Sequence, residues 1–298
     1  MGISTLLFLA VTGSAGWAFA RKVRLIRAKI NLGQPVDRQD RSGERWATMA
    51  RVALGQSKMG AKPLAAVLHL LVYVGFVLIN VEVLEMLVDG IAGTHRFFQP
   101  YLGSLYTAAL NFFEVLAFLV LAACVVFLTR RFVSRVPRLQ HPDLAGFPQK
   151  DATTILVVEV VLMGALLLMN AAEAALPGGT TYAISGFLVP MLSSLSESSL
   201  HAVVTGAWWF HWVGILAFLN YLPYSKHFHI VLAFPNTYYS KLTPKGQLDS
   251  MPSVTQEVKA MLDPSYAPPA GDTPARFGAK DVVDLHWVNL LNAFTCTE

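Results

Sequence analysis

The apolar residues of this chain come in five blocks, each long enough to cross a bilayer, and 54% of the 298 residues are hydrophobic. A span needs about 20 consecutive apolar residues. Backbone polar groups inside hydrocarbon must then pair within the helix, so the blocks predict transmembrane α-helices. They run over Ile3 to Ala20, Pro63 to Val88, about Gly103 to Leu128, Asp151 to Ala172, and from near His201 onward. The fold class is all-α, a polytopic five-helix membrane bundle. Only 14% of residues are charged, well below the roughly 25% of a soluble domain.

The net charge of +4 does not point to nucleic acid, because the basic residues cluster beside the spans. Residues 21–62 carry 11 Lys or Arg and residues 130–150 carry 5, whereas Asp89 to Leu102 has Arg96 alone and Glu173 to Ser199 has none. The positive-inside rule then sets the N-terminus outside and the C-terminal extension in the cytoplasm. Ala18-Phe19-Ala20 resembles a signal cleavage site. The basic residues follow the first apolar run instead of preceding it, which predicts a retained helix. Within 21–62, Glu44 to Met59 has the spacing of an amphipathic helix.

The segment HAVVTGAWWFHWVGILAFLNYLPYSKHFHIVLAFP, His201 to Pro235, carries four histidines. An ionisable residue inside a span usually has a partner or a task. His211 and His229 are eighteen residues apart. On one continuous helix that is five turns, so both imidazoles share a face about 27 Å apart along the axis. Such a pair suggests axial haem ligands, one per membrane half. His69 on the second span and His229 are the best-matched pair on the cytoplasmic side. His227 competes with His229 but faces the other way, and His229 also reads as a solvated interfacial residue. His211 lacks an obvious second ligand, since the position three turns beyond His69 is Ile79. His201 and His95 are interfacial alternatives, and His211 reads equally as hydrogen-bonded within the bundle or to a quinone.

Glu82, Glu85, Glu114, Glu159 and Glu173 lie in or at the ends of spans, with Asn111 and Asn170 nearby. They read as a proton or quinone region, or, for Glu82, Glu85 and Glu173, as residues reaching interfacial water. Cys124 sits in a span and Cys296 near the end, so no internal disulfide is expected. Cys296 would be the first ligand of an iron–sulfur motif if further cysteines follow. The tail beyond Pro235 is rich in proline, with Pro244, Pro252, Pro264, Pro268, Pro269 and Pro274. It reads as an extended linker with helices at Val254 to Leu262 and Ala279 to Phe294.

The His211/His229 spacing through Leu222-Pro223-Tyr224-Ser225-Lys226 resembles the last helix of the respiratory nitrate reductase gamma subunit. Heterodisulfide reductase cytochrome b subunits and sulfite-linked membrane subunits are similar. Lys226-His227-Phe228-His229, Pro235-Asn236, Pro244-Lys245-Gly246, Phe277-Gly278-Ala279-Lys280 and Leu291 to Glu298 resemble fused proteins in which such a bundle leads into an iron–sulfur domain. The resemblance implies haem b on His69 and His229, a quinone substrate, and a 4Fe–4S cluster in a continuation past Glu298. Ile79 departs from the family pattern at the outer haem.

The reading is therefore a five-span domain over 1–235 and a cytoplasmic linker over 236–298, in the cell inner membrane. It would carry electrons between the quinone pool and cytoplasmic iron–sulfur or flavin proteins, as a component of a quinone-linked oxidoreductase within a membrane complex. The region around His211, its tryptophans and the acids would hold the quinone. Alternatives are a haem-free membrane anchor and a proton-coupled transporter. The transporter is disfavoured by the lack of paired, broken spans.

Overall fold

A computed structural model describes residues 2–244, 246–247, 251–267 and 278–297. Lys245, Pro268, Pro269, Pro274, Phe277 and Glu298, named in the readings of the tail, lie outside the described residues. The described residues are helical, with one isolated bridge between Gln34 and His286. The helices are α1 (Ile3–Ile30), α2 (Ser42–Met49), α3 (Pro63–Ala92), α4 (Gln99–Leu102), α5 (Ser104–Phe132) and α6 (Phe147–Ala175). They continue with α7 (Val189–Leu192), α8 (Glu197–Tyr221), α9 (His229–Tyr238), α10 (Pro252–Leu262) and α11 (Trp287–Thr295). Five of them, α1, α3, α5, α6 and α8, are long and apolar enough to cross a membrane. The chain is a multi-pass membrane protein by that measure.

Local chemistry marks several helix ends. Pro63 opens α3, where a missing N–H costs nothing, and Gly93 closes it with φ 71°. The Ser196 hydroxyl caps α8 by accepting from the Ser199 amide at 3.2 Å. The span that begins near His201 is not one helix. It ends at Tyr221, passes through a 3-10 turn at Leu222–Tyr224, and turns extended at Ser225 (φ −112°, ψ 151°). Pro223 has no N–H to donate and disfavours helix in the residue before it. The buried Asp151 carboxylate takes up the Tyr221 hydroxyl at 2.5 Å and the Lys226 amide at 3.0 Å. The eighteen-residue spacing of His211 and His229 therefore does not place them on one helix face.

Other elements also differ from expectation. The helix expected over Glu44 to Met59 is α2 followed by a π-turn at Ala50–Leu54, and it stops at Gly55. The helix expected from Ala279 is a 3-10 turn, Val282–Asp284, and then α11. The first span is a single helix that continues to Ile30, carrying the basic residues in its last turns.

The chain divides into two compact units. The first comprises Met1–Val23, Gln56–Phe228 and Thr297–Glu298. Within it α3 packs on α5, α5 on α6 and α6 on α8. Leu116, Ala117, Val120, Leu162, Leu166 and Val204 are among the residues of its core. Gly75 lets α3 approach α5, because a Cβ there would collide with the Val120 side chain. Gly75→Val should destabilise the bundle by about 1–3 kcal/mol, the usual cost of overpacking. The measurement is denaturant unfolding in detergent. Adding Val120→Ala should recover most of the loss, and no change in either variant would refute the packing role.

The second unit comprises Arg24–Gly55 and His229–Cys296. Its packing joins α2, α9 and α11. Tyr239 meets Trp287 edge-on at 4.9 Å, and the Trp287 indole donates to the Val36 carbonyl at 3.1 Å. Gly33 admits the Trp287 backbone where a Cβ would lie 2.5 Å from its nitrogen.

Candidate functional site

In the first unit, the acids expected to form a proton or quinone region are mostly committed to holding loops. Glu82, Glu85 and Asp89 lie on the last turns of α3, and Asn170 and Glu173 on those of α6. Between them sits Arg96, only 6% exposed although it belongs to a loop. Its guanidinium donates to Glu173 at 2.8 Å, the Tyr182 hydroxyl at 2.8 Å and Asn170 at 3.1 Å. Glu82 lies 3.6 Å away. Burial alone would push the Arg96 guanidinium down; the surrounding Tyr182, Glu173 and Glu82 outweigh that and hold it charged. Burial pushes the Tyr182 phenol up, so it stays a neutral donor, giving its proton to Glu173 at 3.0 Å. Asp89 accepts from the amides of Arg96 and Phe97, both at 3.0 Å, which secures Arg96 at φ 57°.

Glu85 accepts from the Tyr106 hydroxyl at 2.6 Å and the Phe98 amide at 3.1 Å. Glu114 accepts from the amides of Ile184 and Ser185 at 2.8 and 3.0 Å. Asn111 holds Thr181 and Ala183 of the same loop. Glu82, Glu85 and Glu114 are buried, and Glu173, 14% exposed, is engaged by Arg96. Arg96 was missed because a lone basic residue in a short loop between spans reads as solvated. The available signal was its position beside four acids at the ends of two spans.

The tryptophans are likewise used in packing. Phe8 of α1 stacks on Trp212 of α8 at 4.9 Å and lies 5.9 Å from Trp208. The Trp212 indole donates to Thr12 at 3.1 Å, and a Cβ on Gly90 would strike the Phe8 ring.

Asn80, Glu159 and His211 line a cavity of about 80 Å³ among α3, α5, α6 and α8. Its wall is apolar except for Asn80, Glu159 and His211. His211 is 2% exposed, and its Nδ1 lies 3.0 Å from the Leu162 carbonyl. A carbonyl only accepts, so Nδ1 carries the proton and Nε2 keeps its lone pair.

No known family's model matches the chain, and no solved structure matches it. A curated relative, the probable iron-sulfur-binding oxidoreductase FadF of Bacillus subtilis (strain 168), is 26% identical over 298 residues. The match covers 99% of this chain and 39% of the relative, so the chain spans about two fifths of the relative's length.

The other histidines are dispersed. His69 is half-buried in the second turn of α3, on the same face as Val72 and Phe76, which line the cavity. His227 is half-buried, its ring 5.5 Å from Phe218, another lining residue. His229 opens α9 in the second unit. His201 is exposed in the first turn of α8, 3.9 Å from Glu197. Cys296 is exposed just past α11, and Cys124 is buried; neither is in a disulfide. Among the described residues no cluster of three or more His, Cys, Asp or Glu could hold a metal ion. A b-type haem needs paired neutral imidazoles, and half-buried histidines on α3 and after α8 have the right donor chemistry.

Proposed function

We propose that this chain is the membrane part of an electron-transfer protein, passing electrons between the quinone pool and cytoplasmic iron–sulfur centres. The observation that carries this reading is the match of 99% of the chain to a relative named as an iron-sulfur-binding oxidoreductase, together with the five spans. Membrane lipid surrounds the bundle, and iron–sulfur or flavin proteins are the redox partners on the cytoplasmic side. In this reading the N-terminus is outside and the linker inside, following the distribution of basic residues.

The proposed cofactor is haem b with His69 and His229 as axial ligands, an assignment that rests on the family resemblance. Bound haem supplies a one-electron relay. The chain's own part would be to hold those two imidazoles in place. Cys296 is proposed as one ligand of a 4Fe–4S cluster, an assignment that rests on the family resemblance.

The test is a reduced-minus-oxidised visible spectrum of the purified protein, where a b-type alpha band is expected. Adding a quinol should produce the reduced form. His69→Ala should lose the band, and a band that survives this change would remove His69 from the ligand set. A wild-type protein without any alpha band would favour the haem-free membrane anchor.

A further inference from the structure

We infer that Glu159, with Asn80 and His211, forms a hydrated proton-holding site in the middle of the bundle. The three residues lie in the central thirds of α6, α3 and α8, so they meet near mid-membrane. The acids near the loops are spent on amides, on Tyr106 or on Arg96. Glu159 has no hydrogen bond or ion pair among the described residues, yet it faces a cavity. A carboxylate without a countercharge in hydrocarbon is too costly to maintain, so the group holds a proton.

At about 80 Å³ the cavity has room for water between these groups. A buried water needs two to four polar partners. His211 Nε2 offers a lone pair, because Nδ1 donates to Leu162. The Asn80 amide gives one N–H to the Phe76 carbonyl and keeps its other N–H and its oxygen for the cavity. Glu159 supplies an O–H and a carbonyl oxygen. The remaining wall, including Ile79, Leu162 and Phe218, is apolar, so the hydrogen-bonding groups of the cavity are these three.

The proton step is balanced without an oxidant. The Glu159 O–H breaks toward a water, and that water gives one of its protons to His211 Nε2. A carboxylate and an imidazolium result, with Nδ1–H still on Leu162. The titratable group lining the cavity with Glu159 is His211 of α8; α3 contributes neutral Asn80. No Lys or Arg lines the cavity to hold Glu159 ionised. In an electron-carrying bundle, a proton taken up from outside then restores the Glu159 O–H while His211 stays protonated, and that uptake offsets the charge of an arriving electron. That use rests on the proposed function, whereas the hydrated site rests on the cavity alone.

The experiment is infrared spectroscopy of the full chain in lipid vesicles, in H₂O and in D₂O, comparing wild type with Glu159→Gln. Wild type should show, at neutral pH, a protonated-carboxyl C=O band that shifts in D₂O and is missing from Glu159→Gln. Glu159→Asp should retain it at a shifted frequency, and serves if the glutamine variant does not accumulate. A band indifferent to D₂O, or no band lost in the variant, would overturn the site. Proton uptake on reduction should also fall by one per molecule in Glu159→Gln. Unchanged uptake with a normal infrared result would limit the site to a static role and overturn its link to electron transfer. A wild-type protein that takes up no electrons overturns the proposed function, and the infrared result still decides the site.

Discussion

Arg96→Leu is expected to cost the membrane bundle about 3–5 kcal/mol, the range for removing one partner of a buried ion pair. The loss is not that of a surface salt bridge, because Arg96 and Glu82 are both under 10% exposed and Glu173 is largely covered. Without the guanidinium, Glu82 keeps no ionic partner among the described residues, and Glu173 keeps Tyr182 and the more distant His95 at 3.7 Å. Two helix ends and a loop lose their common donor at once. Arg96→Lys should recover only part of the loss, since Asn170, Glu173 and Tyr182 all accept from Nη2 while Glu82 faces Nη1, and one ammonium cannot stand at both positions. Combining Arg96→Leu with Glu82→Gln and Glu173→Gln should be less damaging than Arg96→Leu alone, because the stranded charges are gone. The measurement is reversible unfolding in mixed micelles. A loss below about 1 kcal/mol for Arg96→Leu would show that water reaches the cluster and screens it.

Arg45→Ala should have the second-largest effect, confined to the unit that contains α2 and α9. Arg45 is 1% exposed and uses its whole fork. It donates to the Tyr238 and Ser240 carbonyls at 3.1 and 2.9 Å, and to the Asp40 carbonyl and carboxylate at 2.8 and 2.5 Å. A cation is thus placed where α9 runs out of N–H donors, at the negative end of its dipole. Losing those charge-assisted bonds should cost about 3 kcal/mol. The readout is faster limited proteolysis after α9, with Arg45→Lys protecting less than wild type. An unchanged cleavage rate would refute the clamp.

Hydrogen bonds from Arg45 and then Arg41 hold the Asp40 carboxyl below its usual range. A group lowered in the folded state contributes fully above its unfolded value and loses that contribution as pH falls through the folded one. The clamp should therefore be insensitive to pH near neutrality and weaken only below about pH 4.

How far the site could be read in advance differs from residue to residue. Glu159 and His211 stood out because ionisable groups inside apolar blocks are conspicuous in any linear sequence. That Asn80 joins them, and that Glu82, Glu85 and Glu114 do not, depends on which face of each helix meets which neighbour. The apolar spans are nearly uniform around their circumference, so periodicity alone cannot assign those faces. The break after Tyr221 had a visible cause in Pro223, but an eighteen-residue register looked intact across it.

Span number and helical class followed from the sequence alone, because hydrocarbon leaves the backbone few ways to satisfy its hydrogen bonds. The distribution of Lys and Arg set an expected orientation by the same kind of linear count. The burial of Arg96 and Arg45, the pairing of each acid and the size of the cavity were decided only by the tertiary structure. Those properties arise from distances between residues such as Arg96 and Asn170, or Arg45 and Tyr238, that are remote in the chain and come together only when the helices pack.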